Sequence, residues 1–224
     1  LLNLGGVALM AYIARAGQGG AALAAYAICY AQLFSLVTWV ALGLRSAAGA
    51  VMGQNIGAGQ SARGRQAVRT AALLGFCWSG GIALVFWAAA RPLLGLFGVQ
   101  DPQTLELGEA LLYRLGPAGM ALAVTLALTG GIQGAGETRR PMMIAFVSQI
   151  LVLIGGSHLL YEAGLLNTFR LWDMILAAQV CRLLLTVYLF RLPHWSELVF
   201  ETDSLGTHGS QAARPVSAEE RGKA

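Results

Sequence analysis

The chain has 224 residues, of which 56% are hydrophobic and only 12% charged, with a formal net charge of +4. Soluble domains carry about a quarter charged residues, and a globule of this size has too much surface to hide so much apolar chain. That excludes an ordinary soluble fold and points to a membrane protein.

Nine of the 26 charged side chains lie from Arg191 onward, which leaves long uncharged runs before it. Windows of about 20 apolar residues, enough to cross a ~30 Å hydrocarbon core, fall at 1–15, 22–48, 68–90, 107–131, 142–163 and 171–191. The first is apolar from Leu1, with no basic stretch or cleavage site before it, so it does not read as a signal peptide. At about 1.5 Å per residue its length reaches roughly 22 Å. It therefore reads as the end of a helix whose start lies outside the chain. Lipid offers no partners to the backbone, so runs of this kind are helices, and the alternating pattern of barrel strands is absent. The expected fold class is an all-α polytopic membrane protein. From 192 to 224 the chain is polar ("ETDSLGTHGSQAARPVSAEERGKA") and reads as a disordered tail.

The segment "VMGQNIGAGQSARGRQAVR", residues 51–69, combines glycine with positive charge. Gly57 to Ala62 fits a tolerated form of the dinucleotide fingerprint, which needs a short strand before it and an acid about 20 residues on. Here a long apolar run precedes it, and no acid stands between Gly59 and Asp101. A Walker loop needs Gly-Lys-Ser/Thr, but Lys223 is the chain's lysine. The nucleotide reading fails. Glycines that end one helix and let the next fold back explain the same residues. With alternating spans, segments 57–70 and 134–141 and the C-terminus share one side, carrying Arg63, Arg65, Arg69, Arg139, Arg140 and Arg191. Arg15, Arg91 and Arg170 lie on the other, and the arginine excess makes the first side cytoplasmic. Cys29, Cys77 and Cys181 sit in apolar runs and read as small core residues. No cysteine or histidine has metal-ligand spacing.

The 51–69 segment resembles a loop of the multidrug and toxic compound extrusion (MATE) family, V-G-Q-x-x-G-A before a basic helix start. Gly53, Gln54, Asn55, Gly57, Ala58 and Gly59 carry the likeness. "GGIQGAGETRRPMM" is similar to the family's G-x-G-[DE]-T-x-x-P turn, through Gly134, Gly136, Glu137, Thr138 and Pro141. The upstream "YRLGPAGMAL" resembles the helix before that turn, with Pro117 where a bend is usual. The resemblance implies a six-helix lobe, one helix truncated, of a twelve-helix two-lobe transporter. Residues 1–191 would be its C-terminal lobe and the missing N-terminal lobe its partner. It also implies antiport: export of an organic, often cationic, solute in exchange for H⁺ or Na⁺ across the bacterial inner membrane. The expected partners are that solute and membrane lipid, with no nucleic acid, no cofactor beyond the coupling ion and no enzymatic reaction. The alternative is a flippase for lipid-linked oligosaccharides from the same superfamily, which usually has a more charged cavity and two further helices.

Ionisable residues at membrane depth are costly and mark function. Some relatives carry coupling carboxylates in the seventh and tenth helices, but "MALAVTLALTGGIQ" has no acid. The coupling acid is therefore expected outside the chain. Asp101, Glu106, Glu162 and Asp173 read as charges at helix ends. Glu109 is the weak candidate here, about one turn inside its span, with Arg114 five residues on as a local ion partner. The substrate-cavity candidates are Tyr26, Tyr30, Phe34, Gln32, Thr38, Arg45, Gln133 and Gln149. Tyr26, Tyr30 and Phe34 recur every four residues, either as a cavity stripe for flat solutes or as ordinary helix packing. Arg45 either snorkels to the interface or faces the lobe interior, where it would suit an anionic or zwitterionic solute. Arg182, in mid-span of the last helix, would face the same core.

Overall fold

The structure is a computed structural model that describes residues 2–16 and 19–192; of the tail expected over 192–224, all but residue 192 lies outside them. The helices are α1 (Leu2–Arg15), α2 (Gly19–Tyr26), α3 (Ser35–Gly57), α4 (Ser61–Leu96), α5 (Pro102–Gly134), α6 (Arg139–Phe146), α7 (Gly156–Glu162) and α8 (Thr168–Arg191). A π-helical segment, Ala27–Leu33, leads from α2 to α3, and a second, Val147–Gly155, joins α6 to α7. Five rods, Gly20–Gly57, Ser61–Leu96, Pro102–Gly134, Arg139–Glu162 and Thr168–Arg191, are long and apolar enough to cross a membrane. No strand occurs among the described residues. The chain is an all-α, multi-pass membrane protein.

The rods extend past the apolar runs because caps, not hydropathy, decide where they stop. Gly59, Gly98, Gly136 and Gly164 all have positive φ, which glycine adopts without a steric penalty. At the end of α3 the Gly59 amide donates to the Ile56 carbonyl and the Gln60 amide to the Asn55 carbonyl. This paired pattern is the Schellman cap, and it recurs at Gly98, Gly136 and Gly164. The segment 57–70, expected as a loop, therefore reverses within Ala58–Gln60. Arg63, Arg65 and Arg69 ride on the first turns of α4 instead, because Ala, Arg and Gln are good helix formers. In the same way 134–141 shrinks to residues 135–138.

At the start of α5 the Asp101 carboxylate accepts from the Thr104 amide at 2.9 Å and from its hydroxyl at 2.6 Å. These bonds favour the ionised form and hold the carboxyl below its usual value. A lowered folded pKa gives stability that is present above the unfolded pKa and lost as pH falls through the folded one. Amide-exchange protection of the first turn of α5 is thus expected to weaken below about pH 4, and Asp101→Ala to remove that dependence.

α5 is the central element. In its most apolar stretch 83% of residues are buried, against 17–33% in the other four rods. Where it crosses α3, small residues let the backbones touch. A Cβ on Gly49 would stand 3.1 Å from the Gly130 carbonyl oxygen, and one on Gly53 3.2 Å from that of Gly134. A Cβ on Gly130 or Gly134 would fall on the carbonyl of Arg45 or Gly49. This is close packing of small-xxx-small helices. The outer faces remain apolar, with Trp39, Leu73, Leu74, Trp78 and Leu84 exposed, as suits a lipid-facing surface. Cys77, expected in the core, is exposed too, since an apolar run does not tell the lipid face from the interior. α4 bends at Ala89 (φ −128°, ψ 26°), just before Pro92, whose ring cannot fit against the preceding turn. Pro117 lies inside α5, which runs as one helix.

Candidate functional site

The two π-helical segments bring polar and aromatic groups together beside α1. The wider winding of a π-helix displaces side chains from the α-helical register, and such segments often sit at functional sites. Tyr26 and Tyr30 stack with centroids 4.9 Å apart and Tyr30 and Phe34 5.3 Å apart. Trp172 of α8 continues the stack at 6.1 Å from Tyr26. Tyr26 and Phe34 are buried in the core, whereas Tyr30 is half-buried. The stripe is packed at its two ends, and Tyr30 in its middle is only partly covered. Tyr26, Tyr30, Gln149 and Leu153 face Val7 and Met10 of α1 across a cavity of about 390 Å³.

Arg45 lies twelve residues before the end of α3, about 18 Å from it at 1.5 Å per residue. Its guanidinium does not reach for the interface but donates to Gln133 Oε1 of α5 at 2.8 Å. The close crossing at Gly49 and Gly130 brings these two side chains together. Arg45, Ser46, Gly49, Gln133 and Gly134 border an open groove of about 410 Å³. Arg182 of α8 is a second arginine at depth, and it is half-buried. It lies nine residues before Arg191, or roughly 14 Å from the helix end. Among the described residues no carboxylate pairs with either arginine. An arginine at the centre of a spanning helix costs about 2.5–3.5 kcal/mol on insertion scales, so two of them need a polar or occupied environment. The Arg45–Gln133 pair offers guanidinium and amide donors to the groove it borders.

The remaining expected site residues go elsewhere. Thr38 turns its hydroxyl onto the Phe34 carbonyl of its own helix, 3.1 Å away, and Gln32 is exposed. Glu109 does not pair with Arg114: it accepts from Arg91 of α4 at 2.8 Å, and Arg114 donates to Asp173 of α8 at 2.5 Å. Residues five apart diverge on a helix, whereas the antiparallel neighbour faces Glu109 directly. The Arg91–Glu109 pair lies near helix ends, as does Arg140 with Glu137 at 3.7 Å, whereas Arg114 stands twelve residues inside α5.

The motif residues are structural in their contacts. Gly53 and Gly134 form the crossing, and Ala58, Gly59 and Gly136 form caps. The Gln54 carbonyl accepts from the Ala58 amide, the Asn55 side chain donates to the Val51 carbonyl, and Gly57 ends α3. Glu137 accepts from the Arg140 amide, Thr138 precedes α6, and Pro141 is buried in it. Trp172 was not expected in the stack; lying near the start of its span, it carries no periodic signal.

The MatE family model matches residues 1–156. A probable multidrug resistance protein NorM from Thermotoga maritima is 22% identical over 163 residues, covering 73% of this chain and 35% of that protein. The chain thus spans about a third of the length of that curated relative. No solved structure matches the chain.

Proposed function

Because the chain belongs to the MatE family, that of multidrug and toxic compound extrusion, we propose that it forms one lobe of a secondary active efflux transporter. Members of the family are transporters, not enzymes. In this reading the lobe faces a second one across a central cavity, and an organic, often cationic, solute leaves the cell in exchange for H⁺ or Na⁺. The observation that carries the reading is polar side chains at spanning depth, Arg45 bonded to Gln133 at one groove and Tyr30 and Gln149 lining a cavity elsewhere in the bundle. Repeat lobes that rock about a midplane site need such side chains on the facing surface. The arginine-bearing ends at α3–α4, α5–α6 and α8 lie in the cytoplasm of a bacterial inner membrane.

The coupling carboxylate belongs to the second lobe in this reading, since the stretch of α5 from Met120 to Gln133 carries no acid. The test reconstitutes the polypeptide that carries both lobes and imposes either a proton or a sodium gradient on the vesicles. Gradient-driven movement of a fluorescent organic cation is the expected result; movement indifferent to both gradients would sink antiport. Replacing Asp101, Glu106, Glu109, Glu162 or Asp173 by its amide, one at a time, is expected to leave gradient-driven transport intact. Collapse on Glu109→Gln alone would move the coupling site into this lobe.

A further inference from the structure

We propose that the groove between α6 and α8 binds an anionic phospholipid, its phosphate against Arg139 and Arg140 and an acyl chain along the apolar wall below. The groove has a volume of about 450 Å³. Both arginines, Met143 and Ile144 line it from α6, and Leu185 and Tyr188 from α8. Helical spacing sorts these residues by depth. Arg139 stands one turn from Met143 and Arg140 one turn from Ile144, so charge holds the end of the groove and apolar surface the rest. On the facing wall α8 ends at Arg191. Tyr188 lies three residues before that end and Leu185 six, or roughly 4.5 and 9 Å along the helix. A phenol near the helix end with a leucine beneath it follows the order from membrane interface to hydrocarbon.

Charge selects the headgroup. Among the described residues no carboxylate pairs with Arg139, and Glu137 stands 3.7 Å from Arg140, too far for a hydrogen bond. Both arginines are exposed, which leaves their guanidinium donors for the two-pronged contact that a phosphate accepts. Arg191, at the adjoining end of α8, adds a third positive charge against the one negative charge of Glu137. A zwitterionic headgroup carries an ammonium into that field; an anionic one does not. Basic pockets between spanning helices hold anionic headgroups for this reason. A small soluble anion would satisfy the arginines but leave the apolar wall uncovered, whereas a lipid covers both. The rod Arg139–Glu162 also has the least protein around it, with 17% of its most apolar stretch buried. A lipid lodged between the walls ties that rod to α8.

Such a site depends on the spanning fold and not on efflux, so the test measures lipid binding alone. The 224-residue chain in detergent is titrated with phosphatidylglycerol or phosphatidylcholine of the same acyl chains, and bound lipids are counted by native mass spectrometry. One phosphatidylglycerol per chain is expected to bind about tenfold more tightly than phosphatidylcholine. Arg139→Gln and Arg140→Gln are each expected to weaken it about fivefold, the worth of one basic side chain beside an anionic lipid surface. The double glutamine variant is expected to hold the two lipids alike. Arg63→Gln, at the start of α4, is expected to change nothing. Met143 is exposed, so Met143→Trp fills the groove without disturbing the core and is expected to weaken both lipids. Equal affinity of the parent for both lipids, or an undiminished preference in the double variant, overturns the proposal. Unchanged binding in Met143→Trp overturns it too, because the acyl chain then lies elsewhere. So does displacement of phosphatidylglycerol by an equal concentration of glycerol 1-phosphate, since the occupant is then a soluble anion.

Discussion

Gly134→Ala is expected to destabilise the fold by roughly 1–3 kcal/mol, the usual cost of forcing a methyl into a packed contact. The added Cβ would fall on the Gly49 carbonyl and stand 2.8 Å from both the carbonyl carbon and Cα of Gly49. Those atoms are backbone and cannot rotate away. The helices must separate, and every contact along the crossing loosens with them, including the Arg45–Gln133 bond. Gly130→Ala meets the Arg45 backbone in the same way. The double variant is expected to cost less than the sum, because one separation admits both methyls. Gly80 and Gly81 of α4 make the control: a Cβ there meets nothing within 4 Å. Removing a helical glycine at an open position gains up to about 1 kcal/mol of propensity, so Gly80→Ala is expected to be neutral or stabilising. Unfolding temperatures of the four variants in one detergent decide the matter. If Gly134→Ala and Gly80→Ala behave alike, the crossing is not tight.

That crossing also shows where sequence reading stops. The apolar runs are legible because lipid imposes a single rule, twenty apolar residues in a helix, on each of them separately. Gly59 and Gly136 as helix ends are legible for the same reason: a cap involves neighbours in the chain. The partnership of Gly53 with Gly134 is not, because it joins residues 81 positions apart. Rod lengths were underestimated where the last turns leave the hydrocarbon, since hydropathy falls there while helix-forming residues continue. At the site, the Tyr26–Tyr30–Phe34 stripe follows from local spacing, but the Arg45–Gln133 bond spans 88 positions and needs the fold. The partner of Glu109 was misread because the local sequence offers Arg114, while the antiparallel neighbour that offers Arg91 becomes visible only once α4 and α5 are packed. The π-helical segments have no signature in residue type. They shift the register of Tyr30 and Gln149 without any warning in the chain.

Trp172→Ala is expected to be among the most damaging single changes, at about 3 kcal/mol or more. The side chain is fully buried and supports the aromatic stack through Tyr26. In a bilayer the transfer part of that cost shrinks, since lipid is as apolar as the bundle interior. What remains is the void, whose lining loses its dispersion partners outright, and that term does not depend on water. Tyr26 would lose its neighbour on the α8 side, and Tyr30, stacked on Tyr26, would lose its support. Trp172→Phe separates packing from polarity. The indole nitrogen of Trp172 is buried with no hydrogen-bond partner among the described residues, and a buried donor left unmade is itself a cost. Phenylalanine removes that donor and retains most of the ring, so the change is expected to stay within about 1.5 kcal/mol. Thermal unfolding gives the stability order, with the phenylalanine variant expected close to the parent and the alanine variant well below both. Equal stability of the alanine and phenylalanine variants would mean that the stack bears no weight.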